Sequence, residues 1–302
     1  MTSRVQTVLG AIKPSELGVT LTHEHLSMNF EHFYRKPPET LVDFFQTKPT
    51  LENVGYIRQY PYSSRHNLIL DDEEANIAVL DDVKAYKKFG GGAIVENTTK
   101  GLDRDIKFYE EVAQSCGVHV IAGTGHYIED VQPDNYLHYS TEDIYNRMMG
   151  ELTEGFPEEP QIKAGFMGEI ASVWPIREFE RRAIRAAGEL QPQVGCGVSF
   201  HPHRNPEAPF EIIRLYCEAG GSADKVVMSH LDRKHDFTHI RSLHVQEKLS
   251  KKKHYIFSKK KKQFVLFNFV SFNYLCVAVD HYLFFLRKLL ISSDYYAASA
   301  IF

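Results

Sequence analysis

Glycine and proline are confined to one part of the chain. All 19 glycines and all 13 prolines fall within residues 1–233, and residues 234–302 contain neither. An α/β domain needs these residues at its turns and helix ends throughout. The sequence therefore places the folded domain in 1–233 and leaves 234–302 as a divergent tail without an assigned domain. The tail is rich in Lys, Phe, Tyr, Asn, Leu and Ile, with basic runs at Lys251–Lys253 and Lys259–Lys262. Those residue types come largely from AT-rich codons, which suggests an alternative or read-through C-terminus. Residues 264–286 approach the length of a membrane span. Asn268, Asn273, Asp280 and His281 interrupt that stretch, and a central aspartate is costly to insert, so a membrane anchor is not the expectation.

Within 1–233, short β-branched runs alternate with stretches of helical period. The expected strands are Val19–His25, Ala93–Thr98, Val118–Gly123, Lys163–Glu169, Gly195–His201 and Lys225–His230. Expected helices include Ile176–Leu190 and a segment after Asn205, with Pro209 in its first turn, Ile212, Ile213, Tyr216 and Ala219 as its apolar stripe and Gly220 at its end. Alternating elements imply a parallel sheet covered by helices. Six strands fit either a doubly wound sheet or most of an eight-stranded barrel, and periodicity alone does not choose. Residues 30–70, rich in Phe, Tyr and Pro, read as a long loop, either a lid over a site or a surface insertion with its own aromatic cluster.

The net charge of −4 gives no sign of a nucleic-acid partner. The four cysteines lack the spacing of a zinc ribbon or a disulfide framework. The N-terminal segment is too weakly apolar for a signal peptide, so the expected location is cytoplasmic.

The chemistry collects at strand ends. His23 and His25 close the first expected strand, Glu169 the fourth, His201 the fifth and His230 the sixth. Residues two apart on a strand face the same way, so His23 and His25 can point together. Active sites of barrels and open α/β sheets form at the carboxyl ends of strands. A lone strand-end histidine is more often a hydrogen-bonded structural residue, and one HxH pair arises by chance. Four imidazoles and a carboxylate on separate strand ends are a far more specific pattern, and they match the donor set zinc prefers.

These residues carry a resemblance. THEHL, VENTT followed by GLDRD, GTGHY, GFMGEI, SFHPHR and MSHLDR resemble the phosphotriesterase family of the amidohydrolase superfamily, in order, from about Val5 to Arg233. The resemblance implies a (β/α)8 TIM-type barrel, here with about six of its eight βα units, and two zinc ions. It implies that His23 and His25 bind the more buried ion, His201 and His230 the more exposed one, and that Glu169 bridges them where many relatives carry a carbamylated lysine. A hydroxide held between the ions would be the nucleophile. The family motif favours His201 as ligand over His203. Tyr127, with Glu96 or Asn97, would line the pocket, although packing roles compete for each. Asp232 and Arg233 would orient substrate or ligands. For a vertebrate member of the family the resemblance points to amide hydrolysis of N-acetyltaurine and related N-acetyl amino acids, a small-molecule reaction.

The family pattern also has an aspartate at the end of an eighth strand that accepts the proton of the hydroxide, and residues 234–302 show no recognisable counterpart. Asp280 is the one acidic residue after an apolar run, and it lies too close to His230 for two complete βα units. The competing expectation is therefore a truncated, catalytically impaired form that keeps most metal ligands, with exposed sheet edges and a tendency to aggregate.

Overall fold

The computed structural model describes residues 4–231. The tail, Asp232, Arg233, Asp280 and the candidate span at 264–286 lie outside the described residues. Six parallel strands follow one another along the chain: β1 (Val19–Glu24), β2 (Gly91–Glu96), β3 (His119–Thr124), β4 (Phe166–Ala171), β5 (Val198–His201) and β6 (Val226–Met228). Their hydrogen-bonded order is β6-β5-β4-β3-β2-β1, so every strand neighbours the next in sequence. A doubly wound sheet reverses its order at a switch point. This one does not, and the fold is of the (β/α)8 barrel type.

Among the described residues, the five longest helices lie between the strands: α1 (Glu73–Lys88), α2 (Ile106–Cys116), α3 (Thr141–Thr153), α4 (Glu178–Val194) and α5 (Ala208–Glu218). Their starts are chemically marked. Asp72 accepts a hydrogen bond from the Ala75 amide at 2.8 Å, and Asp105 accepts one from Phe108 at 2.9 Å. Ser140 and Asp143 form a reciprocal capping box on α3. In α5 the stripe is Ile212, Leu215 and Tyr216, all buried, whereas Ile213 and Ala219 are half-buried. The expected stripe was thus turned by part of a helical step, because Leu215 and not Ile213 faces the core.

The described chain forms two compact units. The first comprises residues 4–98 and 102–120, the second residues 99–101 and 121–231. In the first, β1 and β2 pair with Leu21 opposite Ile94 and Glu24 opposite Glu96. A hairpin of Val5–Thr7 with Gly10–Ile12 precedes them, and Val8 donates to the Val120 carbonyl at 2.9 Å. The long segment after β1 is neither bare loop nor crossover helix. It folds as short 3-10 turns around one helix, Val54–Gln59. The Asn53 side chain ties it by accepting from the Thr50 amide and donating to the Phe44 and Lys48 carbonyls. Phe44 and Tyr56 pack with ring centroids 4.2 Å apart, and Phe30 stacks on Phe33 at 4.1 Å. These are contacts within the segment itself, in keeping with an insertion that has its own aromatic cluster.

In the second unit β4 pairs with β3 and β5, and β5 with β6. Its core joins Ile144, Met167, Ile170, Phe179, Ile184 and Phe200 with Ile212 and Tyr216. Gly168 lies on β4 at φ +134°, and a Cβ there would sit 2.6 Å from the Ser199 carbonyl oxygen. Only glycine combines that conformation with such close backbone approach, and it is the residue before Glu169.

Candidate metal centre

Two sets of donors are presented, one by each unit. In the first, His23 lies on β1 and His25 one residue beyond its end, with ring centroids 5.3 Å apart at 73°. The expected strand ran one residue too far. Its end is set by Leu26, whose amide turns from the ladder to donate to the Glu96 carboxylate at 3.1 Å. The His25 ring is buried, with Nδ1 3.0 Å from the Thr98 hydroxyl.

Glu96, one of the two acidic or amide residues expected near the pocket, is wholly buried. It accepts from the amides of Leu26 and Thr98 and from the Thr98 hydroxyl. Burial pushes its carboxyl pKa up to about 8, against the lowering effect of those bonds. Asn97 is buried too, its amide donating to the Glu24 carbonyl and its side chain to that of Val95. Both are held by hydrogen bonds within the first unit.

In the second unit, Glu169 on β4 has 0% exposure. Its Oε2 lies 3.0 Å from His201 Nδ1 and 3.8 Å from His230 Nε2, and the two imidazoles are 4.4 Å apart. Thr99 fixes the peptide of the same residue by donating to the Glu169 carbonyl at 2.8 Å. His201 ends β5 as expected. His230 stands two residues past β6 with φ 58°, a left-handed conformation seldom taken by non-glycine residues. Such a backbone persists where the surroundings impose it, commonly at functional sites. Periodicity could not reveal that turn, because a β-rich run of residues predicts continued strand.

Tyr127 follows β3 and is buried, with its hydroxyl 3.4 Å from His201 Nδ1. Its loop is clamped by Gln132, which meets His126 Nδ1 at 2.9 Å and donates to the carbonyls of Lys100 and Tyr127. His203 is exposed and its Nδ1 accepts from the Asn205 amide at 3.0 Å, so it belongs to the turn leading to α5. Of the pair, His201 is the one that lies on β5 beside Glu169.

A fully buried carboxylate must be neutralised, paired or used to hold a cation. Among the described residues, the imidazoles of His201 and His230 lie beside it. A carboxylate with imidazoles on one side is the donor chemistry of zinc and similar divalent ions, and the residues fit such an ion. Thr98 is the residue the sequence reading missed. Its signal lies in the VENTT segment, where a threonine two positions after a glutamate can fold back on it at a strand end.

A model of the phosphotriesterase family matches residues 3–247, somewhat beyond the Arg233 limit of the motif resemblance. The chain is 54% identical over 232 residues to the phosphotriesterase-related protein of Drosophila mojavensis, covering 76% of this chain and 66% of the relative. It is 53% identical over 232 residues to that of Drosophila melanogaster, with the same coverage. The chain thus spans 66% of the length of the curated relatives it matches. A crystal structure of a resiniferatoxin-binding protein from Rhodobacter sphaeroides matches with a TM-score of 0.76 at 27% identity, over 81% of this chain and 68% of that one. The phosphotriesterase homology protein from Escherichia coli, crystallised with phosphate in its active site, gives 0.60 at 21% identity, over 77% of this chain and 69% of that one, a likeness of fold alone.

Proposed function

Because this chain belongs to the phosphotriesterase family, we propose that it is a zinc-dependent hydrolase of small molecules, cleaving the amide of N-acetyltaurine and related N-acetyl amino acids. The observation that carries this reading is the buried Glu169 carboxylate with His201 and His230 beside one of its oxygens. In this reading His23 and His25 would hold one of two zinc ions, His201 and His230 would hold the other, and Glu169 would be a ligand shared by both. When bound, the ions supply Lewis acidity that lowers the pKa of water and polarises the scissile group.

The chain's own residues do the rest. Glu169 contributes the negative charge that balances part of the cationic load, on a backbone fixed by Thr99. Tyr127, held by the Gln132 clamp, places its hydroxyl next to His201 and on that side would contact the substrate. The acidic net charge accords with a small-molecule substrate and not with nucleic acid. Among the described residues no helix is long and apolar enough to cross a membrane. A cytoplasmic location is part of the same proposal.

The test is metal analysis of the purified full chain together with an assay for taurine release from N-acetyltaurine. Two zinc per chain, with turnover lost to a chelator and restored by zinc, is the expected result. Metal binding without turnover would support the catalytically impaired form instead. A chain that takes up no divalent ion would overturn both. Hydrolysis of a phosphotriester or lactone in preference to the amide would keep the site and change the substrate class.

A further inference from the structure

Buried histidines can carry their proton on either ring nitrogen, and a metal needs the lone pair of the one that faces it. We infer that Glu96 and Thr98 are positioning residues that set the tautomer of His25, placing its proton on Nδ1 and leaving the Nε2 lone pair for a metal ion.

The direction of each hydrogen bond follows from the one donor whose sense is fixed. A backbone amide can only donate, so the 3.1 Å bond from the Leu26 amide makes Glu96 Oε1 an acceptor. The Thr98 amide does the same for Oε2 at 3.1 Å. With Glu96 ionised, both carboxylate oxygens can only accept, so the single proton of the Thr98 hydroxyl, 2.7 Å from Oε1, is donated to Glu96. At His25 Nδ1, 3.0 Å away, the hydroxyl oxygen can then only accept, which requires a proton on Nδ1. Tyr109, also buried, lies against Glu96 and Thr98 and closes the other side of the group. Every member belongs to the first compact unit: Leu26 follows β1, Glu96 ends β2, and Thr98 stands two residues beyond. The carboxylate thus acts on the imidazole through a hydroxyl, and burial of all the members protects the arrangement from competing water. Groups that orient a ligating histidine in this way typically change metal affinity by about 10–100-fold when removed.

The ligand role of His25 rests on the proposed function, whereas its tautomer does not, and the experiment separates the two. Long-range 1H–15N spectra of the metal-free full chain report the tautomer, with the His25 ring identified by its loss in His25→Asn. Zinc affinity is measured in parallel by chelator competition. In the wild type at about pH 9, where Glu96 is ionised, the proton is expected on Nδ1. Thr98→Val removes the hydroxyl while keeping the side-chain volume. It should let the ring populate both tautomers and weaken zinc binding by about 10–100-fold. Thr98→Ser should restore wild-type behaviour in both measurements, a rescue that simple packing would not predict. Far-UV circular dichroism checks that each variant is folded, and should the valine variant unfold, the wild-type and serine spectra still decide. A wild-type ring protonated on Nε2 overturns the inference. So does a folded valine variant that keeps the Nδ1 proton and binds zinc within about twofold of the wild type. A wild type that carries the Nδ1 proton yet takes up no zinc upholds the tautomer assignment and overturns the functional reading instead.

Discussion

Glu169 is the residue whose environment is hardest to account for by folding alone. It gives up hydration entirely and meets two imidazoles in return. Desolvating a carboxylate costs several kcal/mol unless its partners compensate. The cost is recovered most fully when a cation is bound, so the side chain should matter more for metal content than for the apo fold. We expect Glu169→Gln to reduce zinc from the proposed two per chain to less than one while the metal-free chain melts within about 5 °C of the wild type, as measured by elemental analysis and calorimetry. A variant that loses fold and metal together would give Glu169 a structural role. Tyr127→Phe, which removes only a hydroxyl near His201, should leave zinc content unchanged and lower turnover several-fold, a split that steady-state kinetics reads directly.

At the scale of elements, α4 and α5 show how sequence rules compete. Gly188 in the middle of α4 normally costs about 1 kcal/mol relative to alanine in a helix interior. Here a Cβ would stand 2.4 Å from the Tyr216 carbonyl oxygen of α5, a backbone atom that cannot swing aside. The close approach outweighs the propensity. Gly188→Ala should therefore destabilise the chain by about 1–3 kcal/mol instead of stabilising it, as read by a denaturant melt. The same pair of helices is joined by Glu211, which accepts from Arg214 and from Arg181 of α4. Hydrogen bonds from Arg214 above all, then from Arg181, hold its carboxyl down to about 2 from an ordinary 4.5. A depressed folded-state value means the stabilisation is complete above the unfolded-state pKa and is lost as pH falls through about 2. Both arginines remain partly solvated, which limits the gain to about 1 kcal/mol. Glu211→Gln should accordingly lower the melting temperature by about 2–4 °C at pH 7, with the gap to the wild type closing below about pH 3.

For the whole molecule, metal occupancy should dominate measured stability. A ligand that binds the folded chain alone at a hundred times its dissociation constant adds about 2.7 kcal/mol, so zinc should raise the melting temperature and a chelator should lower it. A melt indifferent to both would argue against a preformed centre. The sequence also carries an expectation of open sheet edges and aggregation, which concerns residues beyond Leu231. Size-exclusion chromatography of the full chain addresses it, since a monodisperse peak with a cooperative melt contradicts that expectation.

The residues themselves specified the alternation of strands and helices and marked His23, His25, Glu169, His201 and His230 as candidate metal ligands at or near strand ends, because periodicity and motif spacing are local and leave direct marks on the sequence. They left open whether six strands made a doubly wound sheet or a barrel-type order. Tertiary hydrogen bonding decided that, since only pairing between distant segments defines which strand is next to which. It also decided that His25 and His230 stand just past their strands, that Leu215 and not Ile213 faces the core, and that Thr98 joins Glu96 to His25. Each depends on partners separated along the chain or on a backbone angle that its neighbours impose, and neither is encoded in the identity of one short segment.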